Sequence, residues 1–438
     1  MHTSGRYIAT LLLILAALAA PSGCVYDFEP ELEDIETGFI VIEGDILAGM
    51  QTVVKVGKTT ALGEHVAWYQ SFDAYVECED GTSFKAATGL NEIRESDTLD
   101  IAMTDPYMLN IHVSDDYVAA YRIIDTRDID VTKRHRLVVE TYEYDYSGAA
   151  YDDMHIGIGP NLQVKTKKYA SQWQEVIDSG HIDSLNYVVS DDFMSVRFEV
   201  TGGGGATPYY RWYGREAWEY TALYYAPHYF SMETMSILPY KDNRNSYFCW
   251  NYGQTSEIML DSVEDVAENR FVCRALHTLG NAVQRVSNLY RIDLIQTALT
   301  QDAYRYWSTM KRNTYDVGGL FSPQPADYRG NIYNVDDPDE LVIGYVSVVK
   351  PAVSRYYFNA RNSKLLMPWR DGVEPVKVSR QDEFSAYVYQ GMRPYLPHEY
   401  ADDEPNLGEY DWVPIRCVDC TSQGGSKQRP KYWPNDHI

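Results

Sequence analysis

After residue 20 the 438-residue sequence holds no apolar run of eighteen residues, so no later segment is long enough to cross a bilayer as a helix. Basic residues are scarce. Lys and Arg number 38 against 63 Asp and Glu, a net charge of −25. Nucleic-acid phosphates demand a basic footprint, so the balance argues against that partner, and equally against attachment to anionic lipid headgroups by charge. Catalytic signatures are missing too. The 10 histidines include no His-Glu-x-x-His, there is no Gly-x-Ser-x-Gly elbow, and no second Cys-x-x-Cys completes a zinc site. Val56-Gly-Lys-Thr-Thr60 ends like a phosphate-binding loop, but position 52 is Thr where that loop needs glycine. No catalytic residue, metal or cofactor is assigned. Phe is thin at 12, against 38 Tyr. Tyr pairs an apolar ring with a polar tip and suits both sheet faces and wet recognition surfaces.

What is present begins with an address. Met1 to Arg6 carries one positive charge, Tyr7 to Ala20 is a fourteen-residue apolar run, and Pro21-Ser-Gly-Cys24 follows. The run has the length of a signal h-region. The layout is that of a bacterial lipoprotein signal over residues 1–23, with Cys24 as the lipidated mature N-terminus. Pro21 departs from the aliphatic residue usual there, and a secretory signal cut after Ala20 is the alternative. Removing 1–23 takes away only Arg6, so −25 becomes −26. Val25 to Asp34 packs five acids into ten residues, so 24–37 is expected to be a solvated, extended tether. Acids directly after a lipidated cysteine resemble a signal for the outer leaflet. The expected place is the outer membrane, facing the exterior, held through the lipid anchor at Cys24.

About four hundred mature residues exceed one ordinary core. Short strands follow the tether. Phe39 to Ile46 opens them, Asp80-Gly81 between 74–79 and 82–86 is a hairpin signal, and 107–113, 136–142 and 162–166 continue the pattern. The fold class is therefore mainly β, with an N-terminal Ig-like β-sandwich over 38–180 and a second β-rich domain over 181–438. In the second domain Thr201-Gly-Gly-Gly-Gly-Ala206 reads as a flexible loop tip. Beyond it Tyr210, Trp212 and Trp218 share one strand parity and Arg211, Tyr213 and Arg215 the other, which predicts a packed aromatic face and a solvated arginine face. One helix is predicted over 301–313, with Thr300 as N-cap, Asp302 in the first turn, and Ala303, Tyr306, Trp307 and Met310 at helical spacing. The acidic clusters at 336–340 and 402–404 read as solvated loops.

Beyond Cys24 there are five cysteines: Cys78, Cys249, Cys273, Cys417 and Cys420. Cys417-Val-Asp-Cys420 has the spacing of a redox pair, yet Pro414 precedes it and Gly424-Gly425 follows, where a thioredoxin-type site needs a helix. In an oxidising envelope compartment a structural disulfide is the expected use of at least one cysteine. A local bond between Cys417 and Cys420 and a tie to a distant cysteine both stay open.

Three groups of residues then carry a likeness. They are Cys249-Trp250 with Glu268-Asn-Arg-Phe271; Ala303-Tyr-x-Tyr-Trp307 with Leu320-Phe-Ser-Pro-Gln-Pro325 and Gly330-Asn-Ile-Tyr-Asn-Val335; and Cys417-Val-Asp-Cys420 with Gly424-Gly425 and Pro430-Lys-Tyr-Trp433. Together they resemble the outer-membrane lipoprotein family known as domain of unknown function four-two-four-nine. Phe39 to Glu43 and Ile182 to Leu185 fit as well, and Ser114 to Ser171 fits less well. Members stand beside TonB-dependent outer-membrane transporters, so the resemblance implies an accessory role in capture or uptake, with a glycan or peptide ligand or the transporter as partner. It also implies Cys249 as disulfide partner of Cys417 or Cys420. The family has no assigned catalytic residues. The expected function is thus a non-catalytic surface lipoprotein; an envelope hydrolase on glycan or peptide and a structural or adhesive protein are the alternatives.

Overall fold

Alternating apolar residues pair Ile40–Glu43 antiparallel with Gln51–Lys58, setting Ile42 opposite Val56. In this computed structural model the described residues are 38–60, 67–68, 71–87, 121–145, 163–241, 246–263, 269–281, 283–315, 329–366, 373–378, 381–395, 410–427, 429–430 and 433–434. The signal 1–23, Cys24, the 24–37 tether, the predicted strand 107–113, residues 320–325 and the cluster 402–404 lie outside them. Val56-Gly-Lys58 is plain ladder, which removes it as a phosphate loop.

Two five-stranded sheets face each other in the first body. One runs Val342–Ile343, Ile40–Glu43, Gln51–Lys58, Ala67–Trp68, with Tyr121–Asp125 also on Gln51–Lys58. The other runs Ile332–Asn334, Gln163–Ser171, His135–Asp145, Phe72–Cys78, Ser83–Lys85. Ile42, Val54 and Val56 from the first meet Val76, Leu137 and Val139 from the second in one core. Full burial of each such side chain contributes about 1.5–3 kcal/mol. The predicted hairpin is present, with the Thr82 amide donating to Asp80 Oδ1 at 2.8 Å.

The chain returns to this sandwich late. Ile332, Val342, Val346 and Val348 fill its core, and Val348–Lys350 pairs in parallel with both Ile46–Leu47 and Ile177–Asp178. A boundary at 180/181 therefore does not separate the two cores by sequence. Parallel pairing needs a long crossover, and here the second-body strands from His181–Val189 to Leu289–Leu299 lie within it.

In the second body a three-stranded sheet, His181–Val189, Ser195–Gly203 and Arg270–Gly280, packs on a sheet built from Phe248–Gln254, Tyr209–Thr221, Leu289–Leu299 and Ala352–Asn359. Phe198, Tyr210, Trp212, Tyr290, Ile292 and Phe358 lie buried between them. Two sequence expectations fail here. Only Gly204 and Gly205 of the glycine run lie in a loop: Gly202 and Gly203 are buried in the central strand, opposite Ile182 and His181 on one side and Phe271 and Arg270 on the other. A Cβ on Gly202 would overlap the His181 carbonyl, and one on Gly203 the Asn269 carbonyl, so these glycines serve close backbone approach. Nor is the arginine face solvated. Arg215 is buried, Arg211 is largely so, and all eleven residues of the neighbouring Leu289–Leu299 strand are buried. Alternation records chemistry along a strand, not whether another layer covers its polar side.

The C-terminal segment is bound to the edge of this sheet. Cys249 and Cys420 form a disulfide across 171 residues, with Cα atoms 5.8 Å apart. Cys417 is buried and outside that bond. Trp250 and Ser426 exchange backbone hydrogen bonds at 2.8 Å, and Tyr220 donates its hydroxyl to the Cys420 carbonyl at 2.8 Å.

Candidate functional site: a cavity between sandwich and arginine strand

The Tyr209–Thr221 strand turns Arg211, Tyr213 and Arg215 to the side away from the aromatic core. Along its edge run Phe248–Gln254 and Met259–Ser262, consecutive in sequence and both antiparallel to it. Arg215 pairs with Gln254 and Trp212 with Met259, so residues 255–258 stand opposite only Tyr213 and Gly214. This wide bulge pushes Ser256 and Glu257 outward; such irregularities re-aim side chains where a ladder would bury them. It is pinned by Thr255, whose amide donates to the Gly214 carbonyl at 2.9 Å and whose Oγ1 accepts from the Gly214 amide at 2.8 Å.

The sandwich supplies the opposite wall. The backbone breaks between Ile40–Glu43 and Ile46–Leu47, placing Asp45 under the arginine strand. Gly344, between the returning strands, has φ of 137° and comes so close to the Ile42 carbonyl that a Cβ would overlap it. Tyr345 follows it into the same space. The third wall is the predicted helix, which runs Gln301–Tyr315, two residues beyond the expectation. Thr300 caps it, Oγ1 accepting from the Ala303 amide at 3.1 Å. Ala303 and Tyr306 face the core, while Tyr306, Trp307 and Met310 border the space.

These walls line an open-mouthed cavity of about 320 Å³. Arg211 lines it. Its Nη2 lies 2.7 Å from Asp45 Oδ2, and Asp45 Oδ1 accepts from the Ser347 amide at 3.0 Å. The guanidinium lies 4.1 Å from the centre of the Trp307 ring, a cation–π contact. Arg211 Nη1 and Trp307 Nε1 are both buried and find no acceptor among the described residues. Burial pushes the Tyr213 hydroxyl up to about 12, with Asp45 adding to it, and burial does the same for Tyr306, also to about 12. Both phenols stay protonated at physiological pH. Lys55, Arg211 and Arg215 balance Glu43, Asp45 and Glu257 around the space.

Glu257 reaches a second cluster. His277 Nδ1 lies 3.1 Å from Glu257 Oε2, and its Nε2 lies 3.3 Å from Glu216 Oε1. Glu216, fully buried, also accepts from the Tyr290 hydroxyl at 2.5 Å and faces Arg285 at 3.2 Å. Burial opposes charge on His277, but the two carboxylates outweigh it and hold the imidazole above its usual value.

Arg211, Tyr213, Arg215, Tyr306, Trp307 and Met310, all read from sequence periodicity, come together here. Cys249 and Cys420 do not line the cavity; Cys249 lies near the start of the edge strand Phe248–Gln254, whose last residue borders it. Asp45, Glu43, Glu257 and Tyr345 were not foreseen. The only signal for Glu257 was a polar Gln-Thr-Ser-Glu interruption between two strand-like stretches. Of the 336–340 cluster, Glu340 is no solvated acid: it pairs with Lys167 at 2.8 Å and accepts from the Tyr169 hydroxyl at 3.3 Å. Among the described residues no group of three or more His, Cys, Asp or Glu is placed to hold a metal, and no helix is long and apolar enough to cross a membrane.

The architecture and cavity define a mainly β protein with a small polar and aromatic chamber between two sheet bodies. The chain belongs to the family described as Domain of unknown function (DUF4249), whose model matches residues 25–355. That range takes in every cavity wall and ends before Cys417, Cys420 and Trp433. No curated protein matches the chain.

Proposed function

We propose that this chain is a non-catalytic surface lipoprotein, lipidated at Cys24 in the outer membrane and facing the exterior, that captures a small ligand for a neighbouring TonB-dependent transporter. The observation that carries the reading is a pocket of polar and aromatic walls, two of whose lining residues, Arg211 and Trp307, hold buried donors without an acceptor, Nη1 and Nε1. A buried donor without an acceptor costs roughly 1–3 kcal/mol, which a ligand oxygen would recover. A concave site with a few converging polar groups among aromatic walls is the usual form of a small-molecule site. Asp45 is held by Arg211 and the Ser347 amide, which suits it to position the arginine rather than to transfer protons. The lipoprotein signal and the acidic tether support the address.

The test is affinity purification of the full-length lipoprotein from solubilised outer membrane, beside Cys24→Ala. Co-purification of a transporter with the wild type, and release of Cys24→Ala into the aqueous phase, are expected. Cys24→Ala retained in the detergent phase with wild-type processing refutes the anchor.

One observation favours a hydrolase as second reading: Glu257 both borders the cavity and meets His277. Hydrolysis of glycan or peptide substrates that Glu257→Gln abolishes would establish it.

A further inference from the structure

The chemistry of the lining narrows the ligand further, on the reading that this cavity is a capture site. One Arg211 Nη2 hydrogen is given to Asp45, and Nη1 has no acceptor among the described residues. Asp45 already neutralises this guanidinium, so a carboxylate ligand would bring a second negative charge to a paired cation. Glu43, exposed, and Glu257, partly exposed, set acids at the cavity, and the whole chain carries −25. An anionic ligand meets repulsion on approach, while Lys55, Arg211 and Arg215 oppose a cationic one. What remains is an uncharged ligand rich in oxygen. It has to accept from Arg211 Nη1 and Trp307 Nε1 and to donate toward carboxylates. A hydroxyl does both. The rings of Tyr213, Trp307 and Tyr345 supply apolar surface beside these polar groups, as a body with polar edges and C–H faces requires. A volume of about 320 Å³ admits one or two such rings.

We propose that the cavity binds a neutral saccharide, a monosaccharide or the terminal unit of a disaccharide, with Arg211 Nη1 and Trp307 Nε1 as donors to its ring or hydroxyl oxygens. The bulge at 255–258 brings Ser256 and Glu257 to the hydroxyls on the other side.

Calorimetric titration of the full-length lipoprotein in a detergent without sugar tests this. The probes are glucose, galactose, N-acetylglucosamine, cellobiose and lactose, with glucuronate, galacturonate, glycylglycine and alanylalanine as comparators. At least one neutral sugar should bind, tenfold or more tighter than either uronate or dipeptide. Trp307→Phe, which keeps an aromatic ring and removes the indole N–H, should weaken that sugar at least tenfold with unchanged circular dichroism; Arg211→Lys serves where Trp307→Phe does not fold. Trp307-dependent binding of a uronate or dipeptide in preference to every neutral sugar overturns the saccharide assignment and leaves capture standing. Sugar binding that is indifferent to both substitutions removes it from this cavity. No binding by any probe overturns the saccharide assignment; if no transporter co-purifies either, the capture reading falls with it.

Discussion

The indole Nε1 of Trp433 donates to Glu219 Oε2 at 3.0 Å, joining two buried side chains 214 residues apart. The C-terminal tail is thus fastened to the arginine strand itself, on the same face as Arg211 and Arg215. Hydrogen bonds to a charged group contribute about 1.5–3 kcal/mol. Trp433→Phe keeps the ring's packing on Ala217 and Leu289 and removes one donor from a buried carboxylate. It should lower unfolding stability by about 1–3 kcal/mol, read as a shifted urea midpoint with unchanged slope.

The Cys249–Cys420 bridge closes a loop with a sequence separation of 171. In the chain-entropy model a loop this long is worth about 5 kcal/mol, and native bridges commonly deliver 2–4. Cys249→Ser and Cys420→Ser should each lower the melting temperature by the same amount, and the double variant no further. Non-reducing peptide mapping of Cys417→Ser should still return the Cys249–Cys420 pair. A bond between Cys417 and Cys420 in the wild type would refute the assignment.

Gly203→Ala sets a methyl against the Asn269 carbonyl in a strand paired on both sides. Overpacking of this kind costs about 1–3 kcal/mol. Gly280, with nothing near its missing Cβ, is the control: Gly280→Ala should stay within about 1 kcal/mol of wild type. Equal losses at the two sites would refute the close approach at Gly203.

His277 predicts a pH dependence. Burial lowers it, yet Glu216 and Glu257 together raise it above the ordinary histidine value, while Arg285 and Tyr290 face Glu216 from its other side. A raised folded value means the contribution is complete below about pH 6.5 and is lost as pH climbs through the folded value. Stability should therefore decline from near neutrality upward, and His277→Gln should flatten that decline. Urea midpoints at pH 6 and pH 9 give the comparison; an unchanged slope in His277→Gln would refute the role. At the acid end the sign reverses for Glu216. Burial raises it, but His277, Arg285 and Tyr290 hold it low, so its contribution is present above about pH 4.5 and is lost as pH falls through its depressed folded value.

Much of the local structure was legible because it depends on neighbours in sequence. Thr300, Asp302 and the Ala303, Tyr306, Trp307 and Met310 spacing mark a helix by capping and periodicity alone, and the helix is there. Asp80-Gly81 marks a hairpin for the same reason. The glycine run misled, because glycine signals either freedom or close approach, and only the strands on both sides of Gly202 and Gly203 choose between them.

The β character, the helix and the parity of the arginine strand were all readable along the chain. These follow from steric preference and alternation within a few residues. Only the tertiary structure decided that Ile332 to Val348 return to complete the first core, that Cys420 and not Cys417 meets Cys249, and that Asp45 reaches Arg211 across 166 residues of chain. Those choices rest on which sheet covers which face, and a cavity exists only where two such surfaces fail to close.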